Sequence, residues 1–228
     1  MQTLYEVILV LVPMVLCLTV HEYSHARSAL WLGDDTARHL GRLTLNPAAH
    51  IDVFGTLLLP GLAIATGSSL FFGWAKPVPV NPVRFTRVFF GRRVTMRTGM
   101  MMTAAAGPMS NIVFGLACAV ALKVFEVMHV TTEALTVLTW RLLLVNFVLA
   151  VFNLIPVPPL DGSKVLAAFL PRALAEKFDM LERNPFLSLI VLFGLLGTGI
   201  LGKVIGPVIG LMLGGVIRAL GLDLSGVL

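Results

Sequence analysis

Three residues able to do hydrolytic chemistry fall within one pentapeptide, His21-Glu22-Tyr23-Ser24-His25, at the end of an almost wholly apolar run from Leu4 to Val20. Residues four apart on a helix share a face, so His21 and His25 can bind one metal ion while Glu22 reaches a water beside it. Zinc suits such a site. Two imidazoles and a carboxylate leave its fourth tetrahedral position open for a water whose pKa falls to near neutrality. The bland reading is a chance pattern of polar residues at a helix end. Cost argues against it, because ionisable groups on a lipid-length helix are expensive and usually mark function. Cys17, four residues before His21, is geometrically open as a ligand, but a thiol in an apolar helix packs as a small hydrophobe, and Cys118 is read the same way.

The third ligand has to come from elsewhere, and the best candidate is Asp161, in the run Asn153-Leu154-Ile155-Pro156-Val157-Pro158-Pro159-Leu160-Asp161-Gly162. There a proline-broken helix terminus lets the chain turn back into the protein. A turn residue before Gly162 is the other reading of Asp161. Asn153, still on the helix, could donate to a developing oxyanion or hold a substrate carbonyl; its alternative is a helix-packing hydrogen bond. His39 and His50 lie in a polar stretch and read as surface residues.

The elements that must position these groups belong to a membrane. Of 228 residues 57% are hydrophobic and 13% charged, and the mean hydropathy is +0.91. Spanning runs of about 20 residues fit near 4–32, 98–125, 136–156, 186–201 and 204–220. A sixth run, Val53–Phe72, is cut by Pro60-Gly61 and followed by Gly67-Ser68-Ser69, and broken helices at membrane depth usually line a cavity. The expected fold is therefore an all-α polytopic membrane protein with five to six transmembrane helices, one of them re-entrant. A short β-strand or hairpin is expected after the first helix, over Thr36–Leu45, offering an edge to an extended substrate backbone.

The net charge of +5 is not a nucleic-acid signal here, since no basic-aromatic interleaving accompanies it. Arg84, Arg87, Arg92, Arg93 and Arg97 follow a proline-stiffened loop, Phe71–Pro82, and read as a cytoplasmic membrane-surface contact. Ala104-Ala105-Ala106-Gly107-Pro108-Met109-Ser110-Asn111 is a small-residue surface that admits another helix closely, with Asn111 as an interhelical hydrogen-bond partner. The glycine-rich helices over 186–220 suit close packing, with a lateral gate for substrate as the functional alternative.

HEYSH at 21–25 and NLIPVPPLDG at 153–162, with LTLNPAAHID, FGWAKPVPVNP and AAAGPMSN between them, resemble the compact prokaryotic members of the site-2 protease family of intramembrane zinc metalloproteases. The resemblance covers roughly residues 15–170. It implies that His21, His25 and Asp161 bind one zinc ion, that Glu22 is the general base, and that Asn153 assists at the substrate or oxyanion. It also implies cleavage of membrane proteins within or near a transmembrane helix, in the inner (plasma) membrane of a prokaryotic cell. No PDZ-like insertion and no nucleotide-binding tail is recognisable, so residues 1–228 read as a single membrane-embedded metalloprotease domain.

A zinc- or proton-coupled transporter is the alternative, set back by the lack of inverted halves and by the adjacency of Glu22 to His21. Parity constrains the topology. Asp161 can meet His21 and His25 only if Val53–Phe72 enters and returns, which leaves the basic loops on the cytoplasmic side and the Lys- and Arg-free Glu126–Glu133 loop outside.

Overall fold

The computed structural model describes residues 2–66, 73–89, 91–130 and 132–222. Gly67-Ser68-Ser69 and Phe71-Phe72 lie outside the described residues. The chain is mostly helical. Among the described residues, four helices are long and apolar enough to cross a bilayer, over Val7–Leu32, Met96–Val127, Glu133–Asn153 and Ile200–Leu220. The first of these belongs to α1 (Gln2–Leu32). A four-residue helix, α2 (Thr36–His39), comes next. Residues Val53–Leu58 wind as a wide π turn and pass into α3 (Leu59–Ala65).

The strand expected over Thr36–Leu45 is absent, because Asp34 fixes a helical turn there. The Asp34 carboxylate accepts the Thr36 N–H at 3.0 Å and the Thr36 hydroxyl, an Asx turn that leads the chain into α2. A two-strand antiparallel hairpin forms later, where β1 (Val88–Phe89) pairs with β2 (Arg92–Arg93). Arg87 stacks over Trp31, and the ring of Trp31 lies 5.1 Å from that of Phe89. Asp35 is exposed beside His39 and Arg84. The hydrogen bond from His39 and the ion pair to Arg84 hold its carboxyl below the usual carboxylate range.

Pro60 does not cut the 53–65 segment. It follows the π turn directly inside one continuous helical segment, and the Gly55 carbonyl, five residues before it, accepts the Trp74 N–H instead. The segment has six residues in the π turn and seven in α3, about 20 Å of helix against a hydrocarbon core of about 30 Å.

The bundle core is α1 against α4 (Met96–Val127) and α5 (Glu133–Asn153). The small residues of α4 allow the approach. A Cβ at Gly115 would stand 2.7 Å from the ring of Phe147, and one at Gly99 would strike the ring of Phe85. Buried Phe85 packs with Ala29 and Leu32 at the end of α1 and with Met100 and Met102 at the start of α4. The stretch between α1 and α4 thus begins and ends at one end of the bundle.

Beyond α5 the chain turns through a cis Pro158–Pro159 bond into α6 (Asp161–Ala167). A Cβ at Gly162 would overlap the carbonyls of Leu154 and Ile155, so glycine is what lets α6 fold against the end of α5. Arg97 donates to the carbonyls of Ala167 and Leu170, tying α6 to the same end of α4.

The amphipathic α7 (Arg172–Glu182) and apolar α8 (Pro185–Gly197) follow. The expected span at 186–201 is interrupted, since α8 stops after 13 residues and Gly199 turns in the left-handed region at φ 70°. The last helix, α9 (Ile200–Leu220), then runs the length of the bundle. Leu201 packs with Leu160 and Leu192 near Asp161. Leu222, past the far end of α9, packs with Cys118, Leu122 and Trp140, and Lys123 donates to the Gly221 carbonyl at 2.9 Å.

Candidate metal centre

Helix α1 carries His21 and His25 one turn apart, their rings 4.5 Å between centroids and nearly perpendicular. Each is gripped at Nδ1 by α4. His25 Nδ1–H donates to the Thr103 carbonyl at 2.7 Å, a partner that can only accept. His21 Nδ1 meets the Asn111 side-chain oxygen at 2.6 Å. Both Nε2 atoms are thereby left with their lone pairs free to face Asp161 and each other. Gly107 sits directly beneath them, where a Cβ would stand 2.5 Å from His25 Nε2 and 2.6 Å from His21 Cε1.

Asp161, at the first turn of α6, closes the set. Its Oδ2 lies 3.1 Å from His21 Nε2 and 3.2 Å from His25 Nε2, and the two Nε2 atoms are 3.0 Å apart. His21, His25 and Asp161 are each at least nine-tenths buried. Three electron-pair donors thus face one another, with the protons of both imidazoles committed on the opposite side. Such a triangle is repulsive unless a cation sits over it. The edge lengths fit one: tetrahedral zinc with bonds of about 2.0–2.1 Å separates its ligand atoms by roughly 3.3 Å. Nitrogen and carboxylate donors in this set suit zinc.

Cys17 does not join this set. Its thiol is fully buried against the Leu142 carbonyl of α5, 3.9 Å away. His39 is exposed, as its polar surroundings indicate. His50 is 2% exposed and therefore not the surface residue expected. Its Nε2–H donates to the Thr44 carbonyl at 2.8 Å and its own carbonyl accepts the Lys76 N–H, so a polar stretch of sequence conceals a local core.

Glu22 projects into the same cavity as the triangle, a space of about 670 Å³ whose walls include Trp74, Val78, Met100, Leu149, Phe152 and Asn153. The Val78 N–H donates to Glu22 Oε2 at 2.8 Å. Val78 belongs to an extended strap, residues 73–81, that is fastened at several points. Trp74 N–H donates to Gly55 O, Lys76 N–H to His50 O, and Asn81 N–H to Asp34 Oδ2 at 2.6 Å. The Thr56 hydroxyl donates to Trp74 O, and the buried Arg42 guanidinium to Lys76 O. Asn153, the last residue of α5, is half-buried, and its side-chain nitrogen donates to Leu149 O at 3.0 Å.

Sequence reasoning found the two histidines, Glu22, Asp161 and Asn153, but not Val78, Thr103 or Gly107 as parts of the site. The first two act through main-chain atoms, which leave no side-chain signature. Gly107 stood in a small-residue run that signalled close approach without saying to what.

The profile of "Peptidase family M50" matches residues 123–196. Over 190 residues the chain is 35% identical to "Putative zinc metalloprotease YwhC" of Bacillus subtilis, an alignment covering 80% of this chain and 78% of that protein. It is 27% identical to "Putative zinc metalloprotease Rip2" of Mycolicibacterium smegmatis, over 81% of this chain and 66% of the relative. The Rip2 protein of Mycobacterium tuberculosis is 28% identical over 82% of this chain and 66% of its own length. No solved structure gives a significant match.

Proposed function

Because the chain belongs to peptidase family M50, the site-2 protease family of metalloproteases, we propose that it hydrolyses peptide bonds in or near transmembrane segments of membrane proteins. The observation that carries this reading is the buried triangle of His21 Nε2, His25 Nε2 and Asp161 Oδ2 beside Glu22, in a cavity among membrane-length helices. Its metal is zinc, one ion per chain, held by His21, His25 and Asp161. Zinc bound there supplies Lewis acidity, which lowers the pKa of a water and stabilises negative charge on the substrate carbonyl oxygen.

The remaining work falls to side chains. Glu22 takes the proton of the attacking water and later returns it to the leaving amine. The Val78 N–H on Oε2 steadies the Glu22 carboxylate while its other oxygen serves as base. An amide nitrogen carries two hydrogens, so Asn153, with one given to Leu149, has a second for the oxyanion. A transmembrane substrate has its carbonyls hydrogen-bonded within its own helix, so it must unwind locally before any carbonyl can enter.

Residues 1–228 work as one membrane-embedded unit in the inner membrane of a prokaryotic cell. Helices α1, α4, α5 and α9 cross, and the segment around 53–65 enters and returns. Packing of Phe85 against both Leu32 and Met100 supports this, because it puts the end of α1 and the start of α4 at one level. The basic loops are then cytoplasmic and the turn between α4 and α5 is outside. The deciding experiment is reconstitution of the purified protein with a single-span substrate. A discrete product that disappears with a zinc chelator and returns with added zinc is expected. Chelator-resistant cleavage, or none with any membrane substrate tried, would defeat the reading.

A further inference from the structure

Two buried asparagines, Asn111 on α4 and Asn146 on α5, are each fully enclosed in an otherwise apolar bundle. Isolated amides at such depth are costly, and these two are joined. Asn146 Nδ2 donates to the Leu142 carbonyl at 2.9 Å. Asn111 Nδ2 donates to Asn146 Oδ1 at 2.8 Å and to the Cys17 carbonyl at 3.2 Å. Asn111 Oδ1 then faces His21 Nδ1 at 2.6 Å.

The direction of every bond follows from its ends. Main-chain carbonyls only accept, so Leu142 O obliges Asn146 to turn its nitrogen toward it and its oxygen toward Asn111. That oxygen, together with Cys17 O, obliges Asn111 to present its nitrogen to both, leaving only Asn111 Oδ1 for His21. An oxygen acceptor there requires the proton of His21 on Nδ1, so Nε2 carries the lone pair that points at Asp161 and His25. His25 needs no such chain, because the Thr103 carbonyl fixes it directly.

We propose that Asn111 and Asn146 are positioning residues that set the tautomer and ring orientation of His21, with Asn146 acting only through Asn111, and so fix the affinity of the site for its metal. This rests on the metal-centre reading above. Cys17 O holds Asn111 independently of Asn146, so the effect of losing Asn146 is smaller than that of losing Asn111.

The test is a double-mutant cycle read as the zinc dissociation constant of the purified, chelator-stripped protein, measured by competition with a metal indicator. Circular dichroism of the apo proteins checks that each variant is folded. Asn111→Leu should weaken zinc by about 10- to 100-fold, the usual range for a group that orients a ligating histidine. Asn146→Leu should weaken it by only several-fold, and the double variant should match Asn111→Leu alone, since coupled residues are non-additive.

Asn111→Gln, which keeps both an acceptor for His21 and a donor for Asn146 Oδ1 and Cys17 O, should bind zinc more tightly than Asn111→Leu and stands in for it if the leucine variant is poorly folded. An unchanged dissociation constant in Asn111→Leu overturns the proposal, as does full additivity of the two leucine variants or a glutamine variant that binds zinc no more tightly than the leucine one. If the wild type and His21→Ala bind zinc equally, the metal-centre reading fails instead, and the two failures are told apart.

Discussion

Alanine at Gly107 is the smallest change that tests the assembled site. The new Cβ would stand 2.5 Å from His25 Nε2 and 2.6 Å from His21 Cε1, where carbon contacts settle near 3.5–4.0 Å. About 1 Å of movement must be found. α4 cannot supply it as a rigid body, because Gly99 is seated on Phe85 and Gly115 on Phe147. The imidazoles cannot supply it freely either, because Asn111 and Thr103, which hold their Nδ1 atoms at 2.6 and 2.7 Å, are on the same helix as the intruding methyl group. Pushing the rings off α4 stretches those bonds and skews the ligand triangle.

A displacement of about 1 Å costs roughly a hundredfold in rate, equivalent to about 2.7 kcal/mol of barrier, and zinc occupancy should fall with it. Gly210→Ala, where nothing lies within 4 Å of the added Cβ, is the control and should behave as wild type. The assay is product formation from a single-span substrate, with zinc per chain measured on the same preparations. Gly107→Ala cleaving within threefold of wild type at full zinc occupancy would refute the reasoning.

Glu22→Gln should abolish cleavage and keep zinc, because the amide removes the base but none of the three ligands; activity near wild type would remove Glu22 from the chemistry. Asp161→Ala should lose both zinc and activity, and full occupancy in that variant would move the third ligand elsewhere. Asn153→Ala should lower kcat on the order of a hundredfold with zinc retained, as deletion of an oxyanion donor does; an unchanged rate would leave it the Leu149 hydrogen bond alone. With Cys17 and Cys118 replaced, single cysteines at Thr44, Ala75 and Thr132 should label from outside intact cells only at 132. Labelling at 75 would mean that the segment before it crosses fully.

The parts of this site that were legible in the sequence carry their chemistry on side chains at fixed spacing. His21, Glu22 and His25 announce themselves by helical period, and Asp161 by the proline-rich break that turns it inward. Asn146 left a signal that went unused, since a lone amide within the apolar run of α5 has to find a partner. The strand expected over Thr36–Leu45 gives way to a helical turn because of the Asp34 carboxylate on Thr36, a contact across two residues that apolar patterning does not register. The two runs at 186–201 and 204–220 were legible as separate helices, but the break falls at the left-handed Gly199, which hydropathy does not register.

The strap over the cavity spends its main-chain hydrogen-bonding groups on the protein itself. Pro77 and Pro79 have no N–H, and those of Trp74, Lys76, Val78 and Asn81 are spent on Gly55, His50, Glu22 and Asp34. Its Trp74 and Lys76 carbonyls are taken too, by the Thr56 hydroxyl and the Arg42 guanidinium. Fastened on both kinds of group, the strap is a braced wall of the cavity, and the Glu22 carboxylate rests on that brace through Val78.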